Sequence, residues 1–338
     1  MIKKGVVWIL LYLPCMLIAQ LSDFKTIDLT KADNIAEQYQ GASLESLPIL
    51  SYNLTNSLTT DVEKFRAIYT WVCKNIENDY YAFVKNKNGR QKLRKDSIKL
   101  RNWNISFSKK TFEKLKKEKK TVCTGYAYLI QEMAQFAGLK CEIINGYGRT
   151  AEYNIKKLTQ PNHSWNAVYL NNKWYLCDAT WSAGFYDINT NRFISNYNDT
   201  YFLTDPILFS KNHYPIDSKW LLTNSKGVIE NFINGPIVYN STHTHGVIAI
   251  QPKTLQIECK RGEEMTFYLQ DSKPIEISYL SAELVSGSYR KANEITVTRL
   301  DNQLLEIKTT FQTKGTYDLH FKLNETYLIT YKITIKKE

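Results

Sequence analysis

The 338-residue sequence contains no glycine-rich phosphate loop, no calcium-loop signature and no internal repeat. A nucleotide cofactor or a dedicated cation therefore has no basis in it, and we expect neither cofactor nor metal. Beyond the first twenty residues no apolar run is long enough to cross a bilayer. Cysteine is scarce: six in all, and five once residues 1–19 are set aside, at spacings that make no disulfide framework. An odd number leaves at least one thiol unpaired in a monomer, and Cys73, Cys141 and Cys177 lie in apolar patterns that read as buried single thiols. A zinc framework and a regular basic–aromatic alternation are also missing, so no nucleic-acid partner is expected. The pair His243 and His245 would share a face of a strand, but no cysteine or acid stands near them, and they read as a polar linker.

What is present is ordinary for a folded protein, with 43% hydrophobic and 23% charged residues and length enough for two domains. Lys3 and Lys4 precede an apolar run from Gly5 to Ile18 that ends at Ala19-Gln20. This is the make-up of a secretory signal, 1–19, cut after Ala19. It places the protein outside the cytoplasm, in a periplasm, secreted or in a cell envelope, with no stable membrane span after removal. The net charge of +11 is concentrated: from Lys85 to Lys120 fifteen Lys and Arg face Asp96, Glu113 and Glu118, so this insertion carries +12 and the rest of the chain −1. It reads as a solvated flap or as the docking point of an anionic partner, an acidic substrate or an envelope polymer. Asn88-Gly89 is expected to break it, and Ser108 to cap a second charged helix ending near Lys117.

Chemistry concentrates in three stretches. Thr121-Val122-Cys123-Thr124-Gly125 precedes Tyr126, Leu129, Ile130, Met133 and Phe136 at helical spacing, and Gly138 supplies the stop. Cys123 thus falls in the first turn, where free backbone N–H groups and the macrodipole favour a thiolate. Next, His163 to Tyr169 and Lys173 to Trp181 read as a hairpin turning at Asn171-Asn172, with opposed residue numbers summing to 343. His163 and Asp178 become diagonal neighbours on one face and Cys177 takes the other. A thiol, an imidazole and a carboxylate are the parts of nucleophilic acyl chemistry, with base and orienting acid in named roles. The face bearing Trp165, Ala167, Tyr169, Trp174 and Leu176 is expected to pack on the cysteine helix. Upstream, Thr60 and Glu63 form a capping box, and Phe65, Ile68, Tyr69, Val72 and Ile76 make a core stripe; residues 20–60 read as an entry segment with one short helix. His213 beside Tyr214-Pro215 reads as structural.

Thr121 to Ala127, His163 to Val168, and Trp174 through Trp181 resemble the three signature blocks of the transglutaminase-like superfamily. Ile68-Tyr69-Thr70-Trp71-Val72, Tyr201-Phe202-Leu203-Thr204-Asp205-Pro206 and His213-Tyr214-Pro215 are similar to its kyphoscoliosis-peptidase-like branch; Thr121 stands where that family usually has glycine. The resemblance covers about residues 50 to 225. It implies a papain-like α+β domain with Cys123 as nucleophile, His163 as base and Asp178 as orienting acid, acting on peptide or glutamine amide bonds through a thioester. The substrate would be a peptide or protein, cell-wall peptide included. Trp165 and Trp181 are candidates to line the acyl site. The competing class is a catalytically silent envelope scaffold that kept the fold. From 226 to 338 seven β-rich runs indicate an immunoglobulin-like sandwich, leaving 20–225 as the transglutaminase-like domain.

Overall fold

The computed structural model describes residues 20–151, 157–187, 190–224, 227–300 and 303–337; the expected secretory signal lies outside them. Residues 20–60 hold more structure than an entry segment. A 3-10 turn (Gln20–Phe24) is followed by helices α1 (Thr30–Gln38) and α2 (Leu47–Thr55), which bury Phe24, Ala32, Ile35, Leu50 and Leu54. Helix α3 (Asp61–Asn75) opens on the capping box, with the Thr60 N–H donating to Glu63 Oε2 at 2.9 Å and the Glu63 N–H to Thr60 Oγ1 at 3.3 Å. Its stripe Phe65, Ile68, Tyr69 and Val72 is wholly buried. Arg66 on this helix donates to Asp33 and to Asp199, each at 2.6 Å, and so pins α3 to α1 and to the chain that follows the site.

The basic insertion is a helical hairpin that stays largely solvated, with Gly89 and Leu115 the buried residues of its two helices. It leaves a short strand β1 (Glu77–Asn78), runs through α4 (Tyr80–Leu93) and α5 (Ser97–Glu118), and returns as β2 (Lys120–Thr121), parallel to β1. Asn88-Gly89 does not break it: a Cβ at Gly89 would lie 2.2 Å from the Trp103 ring, so glycine is what lets α5 approach α4. Asp96, not Ser108, caps α5, accepting from the Lys99 N–H at 2.9 Å. At the base Asp79 caps α4 and takes Lys114 of α5 at 2.6 Å.

Helix α6 (Cys123–Phe136) lies on a four-stranded sheet of β3 (Cys141–Gly148), β4 (His163–Leu170), β5 (Lys173–Cys177), and later β8 (His213–Pro215), in the order β5-β4-β3-β8. Between them come α7 (Ala179–Ala183), the two-stranded β6 (Gly184–Asp187) and β7 (Arg192–Ser195), and α8 (Pro206–Phe209). The β4–β5 turn has the expected register, Leu170 opposite Lys173 and Asn166 opposite Cys177, with Asn171 and Asn172 at φ 46° and 61°. The packing face, however, is the opposite of the expected one. Val168, Leu170, Tyr175 and Cys177 meet Tyr126, Leu129, Ile130 and Met133 of α6, while Trp165, Ala167 and Leu176 join Ile144, Tyr201 and Phe209 in a separate cluster behind the sheet. Both faces are buried, so alternation alone does not say which one meets the helix.

Helix α9 (Val228–Asn234), β9 (Ile237–Val238) and α10 (Asn240–His245) lead into a β-sandwich. Its strands are β10 (Val247–Gln251), β11 (Gln256–Lys260), β12 (Glu264–Asp271), β13 (Leu280–Ser286), β14 (Tyr289–Asn293), β15 (Thr296–Arg299), β16 (Leu304–Thr310), β17 (Gly315–Leu323) and β18 (Thr326–Lys336). They form sheets β10-β12-β16-β15 and β11-β18-β17-β13-β14, and β9 adds to β18. Nine strands, β10 to β18, stand among the described residues where the sequence showed seven β-rich runs, and a 3-10 turn (Ile277–Tyr279) precedes β13. His243-Thr244-His245 lies on α10, so the two histidines do not share a strand face. Among the described residues no helix is long and apolar enough to cross a membrane, and all five cysteines are free.

Candidate active site

Cys123 is the first residue of α6, after Val122 in extended conformation at φ −98° and ψ 176°. Thr121 does not occupy a left-handed backbone position. What its side chain requires lies one turn further on: a Cβ at Gly125 would stand 1.9 Å from Thr121 Oγ1, so the hydroxyl occupies the space that glycine leaves. Cys123 is half-buried and opens, with Thr124 and His163, on a cleft of about 410 Å³. Phe83, Asn86, Lys87 and Arg90 of α4 form a wall of this cleft. Arg90 Nη1 donates to the carbonyl of Pro161, in the loop that delivers His163, at 3.0 Å. Among the described lining residues there is no carboxylate.

His163 opens β4 opposite Gly146, and its Nε2 lies 2.7 Å from Asp178 Oδ2. Asp178 does not continue the strand as the hairpin reading had it. The ladder ends at Cys177, and Asp178 caps α7, its Oδ1 accepting from the N–H groups of Thr180 at 2.9 Å and Trp181 at 3.3 Å. Burial would lower the basicity of His163, but the Asp178 charge and hydrogen bonds to Asp178 and the Cys123 thiol outweigh it and hold the pKa up at about 10. With Nε2 engaged by Asp178, Nδ1 is the nitrogen left for the thiol. Burial likewise pushes Asp178 upward, and the two imidazoles beside it win, holding the carboxyl well below its usual range.

The second imidazole belongs to His213, the residue that sequence reasoning set aside as structural. Strand β8 pairs with β3 so that His213 stands opposite Gly148, two residues along β3 from the partner of His163. Its Nε2 lies 3.0 Å from the same Asp178 Oδ2, and its Nδ1 2.7 Å from Asn212 Oδ1. Nothing local announces this contact; only the pairing of β3 with a distant strand creates it. Gly148 leaves room there, since a Cβ would press at 3.1 Å on His163 and Trp181.

The two tryptophans part company with the expectation that they line the acyl site. Trp165 is 1% exposed and packs edge-on to His213 at 5.1 Å, behind the sheet. Trp181 covers the imidazoles, stacked on His163 at 4.8 Å and tilted over His213 at 4.3 Å. Neither is among the residues around the cleft. His163, Asp178 and His213 also have the composition of a metal site, but the atoms that would ligate an ion are already joined by the hydrogen bonds at 2.7 and 3.0 Å.

Residues 49–179, a span that holds Cys123, His163 and Asp178, match the family model of the transglutaminase-like superfamily. The chain is 31% identical to the kyphoscoliosis peptidase of Homo sapiens over 235 residues, 69% of this chain and 32% of that protein. It is 30% identical to the protein of the same name from Mus musculus over 213 residues, 62% of this chain and 29% of that one. Hillarin of Drosophila melanogaster is 26% identical over 236 residues, 65% of this chain and 26% of hillarin. The chain therefore spans about a third or less of the length of these curated relatives. Fold, site and sequence agree on one conclusion: this chain carries a transglutaminase-like domain, in the branch of that superfamily it shares with the kyphoscoliosis peptidases.

Proposed function

We propose that this protein is an exported thiol-dependent acyl-transfer enzyme acting on amide bonds of peptides or glutamine side chains. The observation that carries the reading is the buried His163–Asp178 pair at 2.7 Å, with Cys123 opening on the same cleft as His163. His163 Nδ1 takes the thiol proton and Cys123 Sγ attacks the substrate carbonyl. The N–H groups of Cys123 and Thr124, which have no earlier helical carbonyl to bond, face the developing oxyanion. The imidazolium returns its proton to the departing amine as the C–N bond breaks, leaving a thioester on Cys123. Water then gives an acid, the peptidase outcome, or an amine gives a new amide, the transferase outcome; either nucleophile loses its proton to His163, and Cys123 leaves as the thiol. Asp178 holds Nε2–H throughout and stabilises the imidazolium.

The apolar run Gly5 to Ile18 supports export. Lys87 and Arg90 on the cleft wall, with no carboxylate among the described lining residues, support acyl donors bearing acidic side chains, cell-wall stem peptides among them. The test is to incubate full-length protein with a labelled peptide mixture, quench in acid and identify the fragment bound to Cys123 by mass spectrometry. A labelled thioester on wild type and none on Cys123→Ala is the expected result. No label, together with iodoacetamide alkylation of Cys123 that ignores His163→Ala, would overturn the reading.

A further inference from the structure

We propose that His213 is a positioning residue for Asp178, and that the C-terminal sandwich holds it in its working state through α10, making the second domain a structural part of the active site. This rests on the reading of Cys123, His163 and Asp178 as the reacting group.

The first step is the carboxylate. Four donors can surround Asp178: the N–H groups of Thr180 and Trp181 on Oδ1, and His163 and His213 on Oδ2. With all four in place the carboxylate cannot turn without losing a bond, and neither can the His163 ring it orients. His213 supplies the fourth only if its Nε2 carries a proton.

The second step is that proton. His213 lies between Asp178 and Asn212, and its neighbours at 3.0 Å and 2.7 Å are both oxygens. Serving both at once would need a doubly protonated ring, yet burial drives the His213 pKa down to about 4 against the pull of Asp178. A neutral His213 can serve Asp178 when the Asn212 amide turns its N–H to Nδ1. The amide oxygen then takes the place of Nδ2, which donates to the Tyr201 hydroxyl at 2.8 Å and lies 3.1 Å from His243 Nε2; His243 must then donate to that oxygen, and the Tyr201 hydroxyl must turn its proton to it from Asn240 Oδ1 at 3.2 Å.

The third step is His243. It is buried on α10, and its Nδ1 has no hydrogen-bond partner. A buried N–H without an acceptor costs more than a buried lone pair without a donor. The single proton of neutral His243 therefore sits on Nε2, donates to the Asn212 oxygen, and so turns the amide N–H toward His213. The tautomer of a histidine on the interdomain helix thus selects the tautomer of the one on the catalytic acid.

The sandwich fixes where His243 sits. Ser241 and Thr242 hydroxyls donate to the carbonyls of Tyr327 and Leu328 on β18, and the Tyr239 hydroxyl lies 2.9 Å from Thr330 Oγ1 on the same strand. On the other side Thr244 meets Thr200 at 3.0 Å, beside Tyr201.

The experiment uses full-length protein and reads the pH profile of iodoacetamide alkylation at Cys123, with Asp178→Asn as reference. His243→Leu and His213→Leu, each melting as a folded protein, are expected to move the profile toward that of Asp178→Asn, with at least a tenfold loss of rate at neutral pH. His213→Gln, which keeps a donor near Nε2, should recover most of it. Wild-type profiles in folded His213→Leu and His243→Leu, beside a changed profile in His163→Ala, would overturn the proposal and leave the triad reading standing. An unchanged profile in His163→Ala would overturn both. Imidazole 15N–1H spectra of wild type give a second test that needs no variant to fold: His213 and His243 protonated at Nε2 are expected, and either ring protonated only at Nδ1 overturns the proposal.

Discussion

The two halves of the molecule treat buried polar groups in opposite ways. In the sandwich, Phe267, Leu269, Leu305, Ile307, Phe321 and Tyr331 form a core of alternating apolar residues, and buried Asp271, paired with the partly exposed Arg299 at 2.9 Å, sits at the end of β12. Beside the transglutaminase-like sheet the chain instead buries His163, Asp178, His213 and Asn212 in one hydrogen-bonded group. Buried polar groups contribute little net stability and cost much when one loses its partner. Their concentration on one side is what a reacting constellation needs: atoms held in place by partners that cannot relax. The sandwich can be recognised as a β-rich module from pattern alone, because alternation builds its core. The site cannot.

The sharpest way to break this comparison is to remove the charge at the centre of the polar half. Asp178→Ala leaves two imidazoles facing an empty space and is expected to cost about 3–5 kcal/mol in denaturant unfolding, and to slow Cys123 alkylation. Asp178→Asn should cost less, because it keeps the cap on α7. A loss as small as that of a surface substitution would show that the network is incidental. In the apolar half, Leu305→Ala should cost about 2–5 kcal/mol through the cavity it leaves, while the alkylation profile of the folded protein stays that of wild type. A profile change there would mean that the halves are coupled through more than α10.

Smaller effects sharpen the picture. Gly89→Ala gains about 1 kcal/mol of helix propensity but drives a methyl into the Trp103 ring at 2.2 Å. A net loss of about 1–3 kcal/mol is expected, read as a lower melting temperature. If helix propensity won instead, the α4–α5 contact would be looser than its geometry implies. The pH dependence comes last, at up to about 1.4 kcal/mol per pH unit for each group. His213 and His243, with pKa values held down to about 4 and 3, stabilise the fold fully above about 6.5 and lose that contribution as the pH falls, because the unfolded chain then binds more protons. His163, held up at about 10, has the opposite sign: its contribution is full below about 6.5 and fades as the pH rises through 10. Urea midpoints from pH 4 to 10 should therefore pass through a maximum, and His213→Gln should flatten the acid side alone.

Much of the site was legible because it rests on local chemistry. Gly138 at φ 80° ends the cysteine helix, and the paired Asn171 and Asn172 set the hairpin register as far as Asn166–Cys177, from which His163 and Asp178 follow within a few residues. Each of these acts over a few residues, where turn geometry and side-chain alternation have little freedom. Within the basic insertion the departures have one physical origin. Ser108 and Asn88-Gly89 were read for local propensity, but the packing of Trp103 against Gly89 and the fit of Lys114 to Asp79 made a continuous hairpin that propensity does not encode.

The sequence by itself determined where the thiol stands on its helix, which residues oppose each other across the β4–β5 turn, and that a β-rich module follows, because these depend on neighbours along the chain. Tertiary structure alone decided which sheet face meets α6, that Trp165 is sealed behind the sheet, that His213 reaches Asp178 from a later strand, and that His243 on α10 lies against Asn212 beside it. Those outcomes turn on which distant segments share a sheet edge, and a fully buried sheet carries no alternation to announce them.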